Sequence, residues 1–409
     1  MRIALIGLGY IGLPTALLLA KGGHEIVGFD VDAKKIDGLK QGQLPFIEDG
    51  LPALFTDAKT RFQPTNRLEL ADAYIIAVPT PVTADHRCDL SYVERAAESV
   101  LQLLKPGDLV VLESTVSPGT TEGIVKEILE RAGLRAGIDF SLAYVSEKAI
   151  PGNTIHEMVH NDRIIGGIDE ASRKKTAEIY KSFVQGEVIT TNCRTAETVK
   201  LIENSYRDVN IAFANELARV LPEIGVNTWE AIALANRHPR VHVHEPGPGV
   251  GGHCIPLDPW FLIEQDLKKT RLLQEARRVN DAMPIVVADA ADRLAKKHGT
   301  KTIGMLGVAY KKNVDDARET PAIVIMHALQ AKGYEVIFHD PYVKVFDQPL
   351  LSFEEFLARA DGIVMVTDHD AYRTLTFGSV QQWLIDSRGL YRGISFPFEY
   401  LLLGYDQLE

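Results

Sequence analysis

A cysteine in a glycine-rich segment is the side chain best suited to covalent chemistry in this sequence. Cys254 lies in the segment Gly247–Asp258 (GPGVGGHCIPLD), which has four glycines within six residues. Backbone this rich in glycine can lie flat against a bound molecule. A thiol placed there is a candidate nucleophile if its pKa is lowered. The segment also fits a small buried cysteine in a glycine turn, because cysteine is among the most buried residue types.

Asp258 and three histidines surround this cysteine in the sequence. Asp258 precedes a proline, which fits a helix N-cap, and its carboxylate is also a candidate catalytic group. His242 and His244 would lie on one face of a strand, and His253 precedes the cysteine. No second ligand pair follows at the spacing of a zinc site, so we expect no metal.

Three polar residues recur every four positions further upstream. Lys200, Asn204 and Asp208 therefore share one face of a helix. The stretch from Thr195 to Leu221 contains neither glycine nor proline, which predicts one helix roughly 40 Å long. An exposed polar face is the usual meaning of such a stripe. The neighbouring positions are strongly apolar, so part of the stripe is predicted to face a polar cleft.

A second glycine motif lies at the start of the chain. Gly7–Gly12 (GLGYIG) follows a predicted strand and opens a helix, so that a pyrophosphate could approach the helix N-terminus. Asp30 closes the next strand, near the offset of about 20 residues expected for a carboxylate that binds a ribose diol. It would repel a 2′-phosphate, so NAD is favoured over NADP. The alternative is a turn that serves packing alone. The expected cofactor contacts are Gly7, Gly9, Tyr10, Ile11, Gly12 and Asp30.

A basic loop occupies the corresponding place near the other end of the chain. Gly307–Pro321 follows a strand and precedes a helix, and it carries Lys311 and Arg318. Cations there suit a second nucleotide or a sugar phosphate held by charge. A solvated basic loop is the alternative, which its position at the carboxyl end of a strand disfavours.

The spacing of apolar residues predicts the elements that position these motifs. Short apolar stretches alternate with amphipathic ones in the first and last thirds, which indicates doubly wound parallel sheets. Ala20–Asp30 also resembles Ala331–Asp340, since each combines a helix end, a glycine turn, a strand and an acid. We predict an α/β fold in which two Rossmann-like doubly wound domains are joined by a helical middle domain with one long central helix. The predicted strands are Arg2–Ile6, Glu25–Phe29, Tyr74–Val78, Leu109–Glu113, Ser141–Val145, Thr302–Val308, Glu335–His339 and Gly362–Val366.

Three domains follow from this alternation. We predict an NAD-binding domain over 1–192, a helical domain over 193–298 that carries Cys254, and a second nucleotide-binding domain over 299–409. A helix as long as the central one usually bridges domains or packs against a second subunit. The other predicted helices are Ile11–Lys21, Tyr92–Leu104, Thr121–Ala132, Asp258–Gln265, Leu272–Lys297 and Thr320–Lys332.

The composition excludes several classes of protein. The 409 residues are 46% apolar and 24% charged, which is ordinary for globular proteins. A net charge of −11 argues against a nucleic-acid or anionic-membrane binder. No apolar run reaches the ~18 residues of a membrane span, and Arg2–Ile6 is predicted to be a buried strand rather than a signal peptide. Three cysteines are too few for a disulfide framework, so we expect thiols in a reducing cytoplasm.

Taken in chain order, the motifs resemble the UDP-glucose/GDP-mannose dehydrogenase family, the nucleotide-sugar 6-dehydrogenases. The resemblance covers essentially the whole chain, and several independent motifs in the right order make it specific. The resembling motifs are Gly7–Gly12, Val78–Pro81, Ser114–Val116, Lys200 with Asn204, Gly251–Asp258, and Ala309–Arg318.

Within this family the chain is most similar to the UDP-N-acetyl-D-mannosamine dehydrogenase branch. Two departures concern the sugar: Ser146–Lys148 replaces the usual Pro-Glu-Arg, and Ile255–Leu257 differs slightly from the usual loop. The resembling stretches are Pro151–Gly152, His160–Gly167, Glu203–Leu217 and Asn236–Val241.

The resemblance implies a four-electron oxidation. Converting a 6-hydroxymethyl group into a carboxylate consumes two NAD⁺, and Cys254 would serve as the nucleophile that forms a thiohemiacetal and then a thioester. Lys200 and Asn204 would stabilise the oxyanion, and Asp258, with Lys200 or a held water, would be the general base. Glu147 would activate the hydrolytic water. The resemblance also implies cofactor contacts from Pro79, Thr80 and Thr115, with Thr115 orienting that water, and substrate contacts from Glu147, Lys200, Asn204, Arg240, Gly251, Gly252, Lys311 and Arg318.

Several alternatives remain at this stage. The expected substrate is UDP-N-acetyl-D-mannosamine, whose acid product would supply a surface polysaccharide, but UDP-N-acetylglucosamine and UDP-glucose stay open. A two-electron hydroxy-acid dehydrogenase would share the N-terminal fold without needing Cys254. A catalytically silent nucleotide-sugar sensor would have no need for the complete catalytic set. The resemblance also favours a homodimer through the long helix, with Arg240 reaching across the interface.

Overall fold

The chain forms two compact units in the computed structural model, which describes residues 1–150, 152–377 and 381–406. The N-terminal unit consists of Met1–Glu203 and Trp260–Asp266, and the C-terminal unit of Asn204–Pro259 and Leu267–Glu409. The predicted division into three domains stays a prediction. Pro151, from one of the resembling stretches, lies outside the described residues.

The N-terminal unit is built on an eight-stranded sheet with strand order β3-β2-β1-β4-β5-β6-β7-β8. The first six strands have the order of a dinucleotide-binding fold, and only the pairing of β6 with β7 is antiparallel among the strand pairs of this sheet in the described residues. The strands are β1 (Arg2–Ile6), β2 (Glu25–Phe29), β3 (Phe62–Thr65), β4 (Ala73–Ile76), β5 (Leu109–Leu112), β6 (Ser141–Val145), β7 (Arg163–Gly167) and β8 (Val188–Thr191).

Apolar side chains on both faces bury the central strands of this sheet. Ile3 and Leu5 pack into the core on one face, whereas Ala4 and Ile6 pack into the core on the other. The predicted doubly wound sheet is therefore confirmed. The helices around it are α1 (Gly12–Lys21), α2 (Ala33–Lys40), α3 (Leu51–Ala58), α4 (Ser91–Leu101), α5 (Lys126–Glu130), α6 (Thr154–His160) and α7 (Glu170–Tyr180).

Several segments of this unit differ from the predicted elements, and the strands β3, β7 and β8 were not predicted. The strands predicted to reach Val78 and Glu113 end earlier, because the residues beyond them form loops joined by the Ser114 side chain. The helix predicted over Thr121–Ala132 begins as a π-helical turn, in which Gly123 departs from helical dihedral angles.

The predicted long helix is present as α8 (Cys193–Val220), with 28 residues. A 3₁₀ turn follows it and ends at Gly225, which has a positive φ of 75°. Asn227 then caps α9 (Thr228–Ala235) by accepting hydrogen bonds from two backbone N–H groups of its first turn. The next helices are α10 (Asp258–Ile263) and α11 (Arg271–His298).

A second parallel sheet, with strand order β10-β9-β11-β12-β13, forms the core of the C-terminal unit. This is the other common order of doubly wound folds, so the second Rossmann-like domain is confirmed. No helix of the described residues is both long and apolar enough to cross a membrane. The elements are β9 (Thr302–Leu306), α12 (Pro321–Ala331), β10 (Glu335–His339), α13 (Phe353–Arg359), β11 (Gly362–Met365), β12 (Trp383–Asp386) and β13 (Glu399–Leu402).

The internal repeat in the sequence corresponds to a repeat in the structure. The N–H of Gly7 donates to the carbonyl that ends β2, and the N–H of Gly307 donates to the carbonyl that ends β10. Asp30 accepts from the backbone just after Gly7, and Asp340 accepts from the backbone just after Gly307. The two nucleotide-binding folds thus share the same local hydrogen bonding after their first strand.

Candidate active site

Packing requires glycine at two positions of the Gly7–Gly12 loop but not at a third. Gly7 has a φ of 96°, and a Cβ there would lie 2.4 Å from the Ala77 carbonyl oxygen. A Cβ on Gly12 would lie 1.9 Å from the Gly7 oxygen. A Cβ on Gly9 would meet no atom within 4 Å among the described residues. Protein packing therefore does not explain Gly9, whereas the close approach of a pyrophosphate does.

The first turn of α1 is also suited to an anion. Ile11 is its N-cap residue, and the Ile11 side chain makes no capping hydrogen bond to the N–H groups of this turn. Open N–H groups at a helix start carry partial positive charge and bind phosphate readily. The Tyr10 side chain faces elsewhere, because its ring stacks on Phe46 at 4.7 Å and its hydroxyl donates to Glu48. Its side chain thus holds the loop in place.

Asp30 is a buried anion at the carboxyl end of β2. Its Oδ2 accepts from the Leu8 N–H at 2.9 Å and from the Lys35 ammonium at 2.6 Å, and its Oδ1 accepts from the Asp32 N–H at 2.9 Å. Burial raises the pKa of Asp30, but Lys35 and the two N–H groups outweigh it and lower the pKa overall. The predicted ribose acceptor is thus negatively charged and firmly oriented.

Two further loops join the glycine loop at this edge of the sheet. The Ser114 hydroxyl accepts from the Val78 N–H at 2.9 Å and donates to the Val78 carbonyl at 2.7 Å. The Thr80 hydroxyl donates to the Thr115 carbonyl at 2.6 Å. Because β1, β4 and β5 are adjacent, the structure brings Pro79, Thr80 and Thr115 to the same edge as the glycine motif.

Glu147 is a buried carboxylate at the end of β6. Its Oε1 accepts from the N–H groups of Lys148 at 2.7 Å and Ala149 at 2.6 Å, and its Oε2 pairs with Arg163. Burial raises the pKa of Glu147, but Arg163, the backbone and the charge of Lys200 lower it overall. Lys200 is itself buried. Sequence reasoning gave Arg163 no role, because its approach to Glu147 depends on the antiparallel pairing of β6 with β7.

In the C-terminal unit, the glycine segment before Cys254 packs against the basic loop. The Gly252 N–H donates to the Arg318 carbonyl at 3.0 Å. A Cβ on Gly251 would lie 2.9 Å from the Tyr310 Cβ, and one on Gly252 would lie 2.8 Å from the Tyr310 ring. Contacts inside the protein therefore account for these two glycines. The Cys254 side chain is exposed, which excludes the alternative of a small buried cysteine.

A buried polar pair lies one helical turn from this cysteine. The Asp258 N–H donates to the Cys254 carbonyl at 2.8 Å, and the Asn204 amide donates to the Asp258 carboxylate at 2.6 Å. Asp258 therefore joins the cysteine segment to α8. Lys200 belongs to the N-terminal unit and Asn204 to the C-terminal unit.

The third residue of the polar stripe is not part of this arrangement. Asp208 is buried and pairs with Arg277 at 2.5 Å, and Asn280 donates to it at 2.8 Å. Neither an exposed polar face nor a polar cleft describes this end of the stripe. Asp208 stabilises the packing of α8 against α11, a partnership that spacing along one helix could not indicate.

The cationic residues of the basic loop differ in their partners. Arg318 forms a two-pronged ion pair with Asp316 of the same loop, at 3.0 and 2.6 Å, and remains half-exposed. Lys311 and Arg240 are exposed. Burial lowers the pKa of His253, and the nearby Arg318 lowers it further, which favours the neutral imidazole. No group of three or more His, Cys, Asp or Glu residues in the described part of the chain could hold a metal ion.

Comparison with known proteins identifies the family. Models of the UDP-glucose/GDP-mannose dehydrogenase family match the chain in three parts: the NAD binding domain over residues 1–184, the central domain over 194–282 and the UDP binding domain over 304–393. The chain belongs to this family. It is therefore an oxidoreductase, an NAD-dependent nucleotide-sugar dehydrogenase, and the cradle around Gly9 and Asp30 is suited to that cofactor.

Individual relatives of this dehydrogenase cover nearly its whole length. A UDP-N-acetyl-D-mannosamine dehydrogenase of Methanocaldococcus jannaschii is 44% identical over 91% of this chain and 86% of its own. An NDP-N-acetyl-D-galactosaminuronic acid dehydrogenase of Ralstonia solanacearum is 42% identical over 95% of this chain and 96% of its own. A solved UDP-D-ManNAc dehydrogenase of Pyrococcus horikoshii superposes with a TM-score of 0.94, at 39% identity and full coverage of both chains.

Proposed function

We propose that this dehydrogenase oxidises UDP-N-acetyl-D-mannosamine to UDP-N-acetyl-D-mannosaminuronate through a thioester on Cys254. One observation carries the mechanism: an exposed thiol lies one helical turn from a buried carboxylate that an amide of α8 holds in place. The names of the Methanocaldococcus and Pyrococcus relatives support the choice of sugar. The name of the Ralstonia relative supports a nucleotide-linked N-acetylgalactosamine compound as a second candidate substrate.

The chemistry requires two oxidations at C6 and one hydrolysis. The C6 alcohol loses a proton and a hydride to give the aldehyde, and the Cys254 thiolate adds to that aldehyde to form a thiohemiacetal. Loss of a second hydride gives the thioester. Water then adds to the thioester carbonyl, the C–S bond breaks, and the carboxylate and the thiolate are released. NAD⁺, which the Gly7–Gly12 loop and Asp30 would hold, would supply the hydride acceptor for both oxidations, so that each acid formed would yield two NADH.

Each predicted residue has a place in this sequence of steps. Lys200 and Asn204 would stabilise the negative charge on the C6 oxygen, and Asp258, with Lys200 or a water, would accept the alcohol proton. Glu147 would accept a proton from the hydrolytic water, which Thr115 would orient. The UDP-sugar would be held by Arg240, Gly251, Gly252, Lys311 and Arg318, whereas Pro79, Thr80 and Thr115 would contact the cofactor.

The long helix supports the proposal of a homodimer. Tyr206, Phe213 and Val220 recur every seven residues along α8, and each side chain is at least half exposed. Apolar residues at this spacing form one stripe on a helix, which is suited to packing against a second copy. We further propose that the enzyme acts in the cytoplasm, where its thiols stay reduced and its product can supply a surface polysaccharide.

A substrate panel tests the proposed reaction. UDP-N-acetylmannosamine, UDP-N-acetylgalactosamine, UDP-N-acetylglucosamine and UDP-glucose are each mixed with NAD⁺ and the purified enzyme, and NADH is counted per sugar consumed. Two NADH with the mannosamine compound alone are expected. Two NADH with another sugar would keep the mechanism and change the substrate. No NADH from any compound, with nucleotide sugars still bound, would indicate a silent sensor.

A substitution at the nucleophile tests the covalent step. Cys254→Ser is expected to abolish acid formation while UDP-sugar binding, measured by calorimetry, persists, because a serine hydroxyl is far less nucleophilic than a thiolate. Cys88→Ser is the matched control and should retain two NADH per sugar. Full four-electron turnover by Cys254→Ser would exclude the thioester.

A further inference from the structure

A buried carboxylate of the N-terminal unit has no part in the reaction described so far. Glu113 follows β5, two residues before Thr115, and its side chain is buried. The Tyr180 hydroxyl of α7 donates to its Oε1 at 3.0 Å. Its Oε2 is buried without a hydrogen-bond partner among the described residues. Burying a charged oxygen without a hydrogen-bond partner costs free energy, so the presence of a glutamate at position 113 needs a physical explanation.

Glu113 and Tyr180 belong to a buried cluster that also contains the ion pair of Glu147 with Arg163. One guanidinium nitrogen of Arg163 donates to Glu147, and the other donates to the Met158 carbonyl at 3.1 Å. The guanidinium also lies 5.9 Å from the centre of the Tyr180 ring. Arg163 Nε is buried without a partner among the described residues. The cluster thus contains one unpaired donor and, on Glu113, one unpaired acceptor.

Two carboxylates in this cluster therefore depend on one guanidinium. Burial and the charge of Glu147 raise the pKa of Glu113 to about 7, against the opposing effects of Arg163, Tyr180 and Thr15. The groups that act on the two acids come from four elements: Thr15 of α1, Arg163 of β7, Tyr180 of α7 and Lys200 of α8. Glu113 is thus the group of this cluster whose charge changes near neutral pH.

We propose that Glu113 is a positioning residue that acts on Glu147 through Arg163 and makes thioester hydrolysis faster as Glu113 ionises. The proposal rests on the proposed function. With Glu113 protonated, the positive charge of the Arg163 guanidinium stabilises the Glu147 carboxylate alone, which makes Glu147 a weak base. With Glu113 ionised, its negative charge offsets part of the guanidinium charge that acts on Glu147, and Glu147 becomes a stronger base.

Glu113 would affect the step of thioester hydrolysis in which Glu147 accepts a proton from water. As the water oxygen bonds to the thioester carbon, one water proton passes to the Glu147 carboxylate. The C–S bond then breaks, which regenerates the Cys254 thiolate and releases the sugar acid, and the acid loses the second water proton to solvent. Glu147 returns its proton to solvent before the next cycle. Glu113 takes no proton from the substrate, and its effect is on the affinity of Glu147 for that proton.

The experiment follows the acyl-enzyme as a function of pH. The intact enzyme turns over the UDP-sugar that gives two NADH in reactions buffered between about pH 6 and pH 8.5. Each reaction is then quenched with acid, and mass spectrometry measures the fraction of enzyme acylated on Cys254. For the wild type, the hydrolysis rate should rise with pH through a midpoint near neutrality. Glu113→Gln, whose side chain stays neutral, should match the wild type at the acidic end. It should hydrolyse about tenfold more slowly at the alkaline end, the factor that corresponds to one pKa unit.

A second variant tests the same idea without removing the carboxylate. Tyr180→Phe keeps the ring beside Arg163 but removes the hydrogen bond that stabilises the charged Glu113. Its hydrolysis midpoint should therefore move to higher pH. The matched control is Asp108→Asn, a buried acid that pairs with Lys105 before the start of β5. This control should keep the wild-type midpoint.

The outcomes separate this inference from the function on which it rests. An unchanged pH dependence in both Glu113→Gln and Tyr180→Phe would overturn the role of Glu113, as would an equal loss of rate at every pH. If the wild type itself forms no acyl-enzyme and yields fewer than two NADH, the proposed function fails first. A lost alkaline response in Glu113→Gln together with the shifted midpoint in Tyr180→Phe would establish the role.

Discussion

At the scale of single residues, the space around each glycine separates binding from packing. Gly9 and Gly12 belong to one motif, but a Cβ has open space at the first and would overlap a carbonyl oxygen at the second. The pattern GxGxxG cannot show this difference, because both positions are simply glycine in the sequence. The structure shows that protein packing requires glycine at position 12 but not at position 9.

This difference predicts opposite results for two alanine variants. Gly9→Ala should leave the melting temperature nearly unchanged but weaken NAD⁺ binding by about tenfold or more, because its methyl group would occupy the approach of the pyrophosphate. Gly12→Ala should lower the melting temperature, because its Cβ would lie 1.9 Å from an oxygen. Calorimetric titration and thermal unfolding measure both quantities. Equal NAD⁺ affinity for Gly9→Ala and the wild type would remove Gly9 from the cofactor site.

The buried acid Glu113 predicts a pH-dependent stability of definite sign. Its pKa is raised from an ordinary 4.5 to about 7 in the folded protein, so the folded state holds this proton more tightly than the unfolded state. Its contribution is fully present below about pH 4.5 and is lost as pH rises through about 7. The Glu113→Gln variant has no ionisable group at this position, so its free energy of unfolding does not decrease in this way as the pH rises. We expect the variant to gain roughly 1–3 kcal/mol on the wild type between pH 5 and pH 8.

Unfolding by urea at several pH values measures this gain. The comparison uses the difference between variant and wild type at each pH, because the other titrating groups are common to both proteins. Asp108→Asn provides a control from the same strand region. A stability difference that stays constant from pH 5 to pH 8 would contradict the raised pKa of Glu113.

Residue types with intrinsic chemistry could be recognised from the sequence, whereas their charged partners could not. Cys254, Asp258 and the pair Lys200 and Asn204 stand out by type and spacing. Arg163 and Asp316 do not, because an ion pair depends on which strands and loops come together. Arg318 illustrates the consequence, since its expected free charge is already shared with Asp316.

At the scale of elements, a chain of buried amides connects α8 to the cysteine segment. Asn215 of α8 accepts from the Gly247 N–H at 2.8 Å and donates to Asn280 of α11 at 2.9 Å. Asn280 in turn donates to Asp208. The beginning of the glycine segment is therefore fixed to two helices. Because buried amides without partners are costly, this chain holds the segment in one conformation.

Removing the central amide should loosen the segment. Asn215→Ala leaves the Gly247 N–H and the Asn280 oxygen without this partner, and we expect about 2 kcal/mol of lost stability. In a Cys88→Ser background, alkylation of Cys254 by iodoacetamide should also change in rate, because the conformation of its loop is less restricted. Thermal unfolding and mass spectrometry measure the two effects.

Asn210 provides a matched control on the same helix. It also bonds the segment upstream of Cys254, through the His242 carbonyl and the His244 N–H, but it is only partly buried. Water can replace its bonds, so Asn210→Ala should cost less stability. If both variants lose equal stability and leave the alkylation rate unchanged, the amide chain does not position the cysteine segment.

Periodicity located the predicted helices and strands but placed several of their ends wrongly, and it missed five strands: β3, β7, β8, β12 and β13. The predicted ends are correct for four strands: β1, β2, β6 and β10. Turns that contain the positive-φ glycines Gly7, Gly23 and Gly333 lie next to three of them, β1, β2 and β10. The predicted helix over Thr121–Ala132 starts with a π turn instead. Glu197 of α8 binds the N–H groups of Gly119 and Thr121 at 2.6 and 2.8 Å, a contact that the local sequence could not indicate.

At the scale of the whole molecule, one chain contains two nucleotide-binding folds. They differ in the protein groups that bond the carboxylate at the end of the second strand of each fold. The Asp340 carboxylate receives two backbone N–H groups of its glycine loop and the buried His369. Its counterpart Asp30 receives one such N–H group and the Lys35 ammonium. The repeated sequence pattern predicts both folds, and the surrounding side chains give them different ligands.

The apolar stripe on α8 predicts how copies of this molecule assemble. Tyr206, Phe213 and Val220 are 61%, 50% and 50% exposed, an arrangement that leaves apolar area in water unless a second copy covers it. Phe213→Glu places a charge in the centre of this stripe. We expect it to convert a dimer into monomers at micromolar concentration, as measured by sedimentation velocity, because a buried unpaired charge strongly opposes association.

The control for this prediction is a charge placed on another exposed apolar residue of the same unit. Val345 is 88% exposed and lies far from α8 in the sequence, so Val345→Glu should sediment as the wild type does. A wild type that is monomeric, or a Phe213→Glu variant that stays dimeric, would contradict the assignment of this surface. Because Asn204 and Asn215 lie on the same helix as the stripe, the dissociated variant also shows whether dimerisation stabilises the cysteine segment. In that case Phe213→Glu should lose activity in proportion to the fraction of monomer, whereas an active monomer would show that one chain suffices for the reaction.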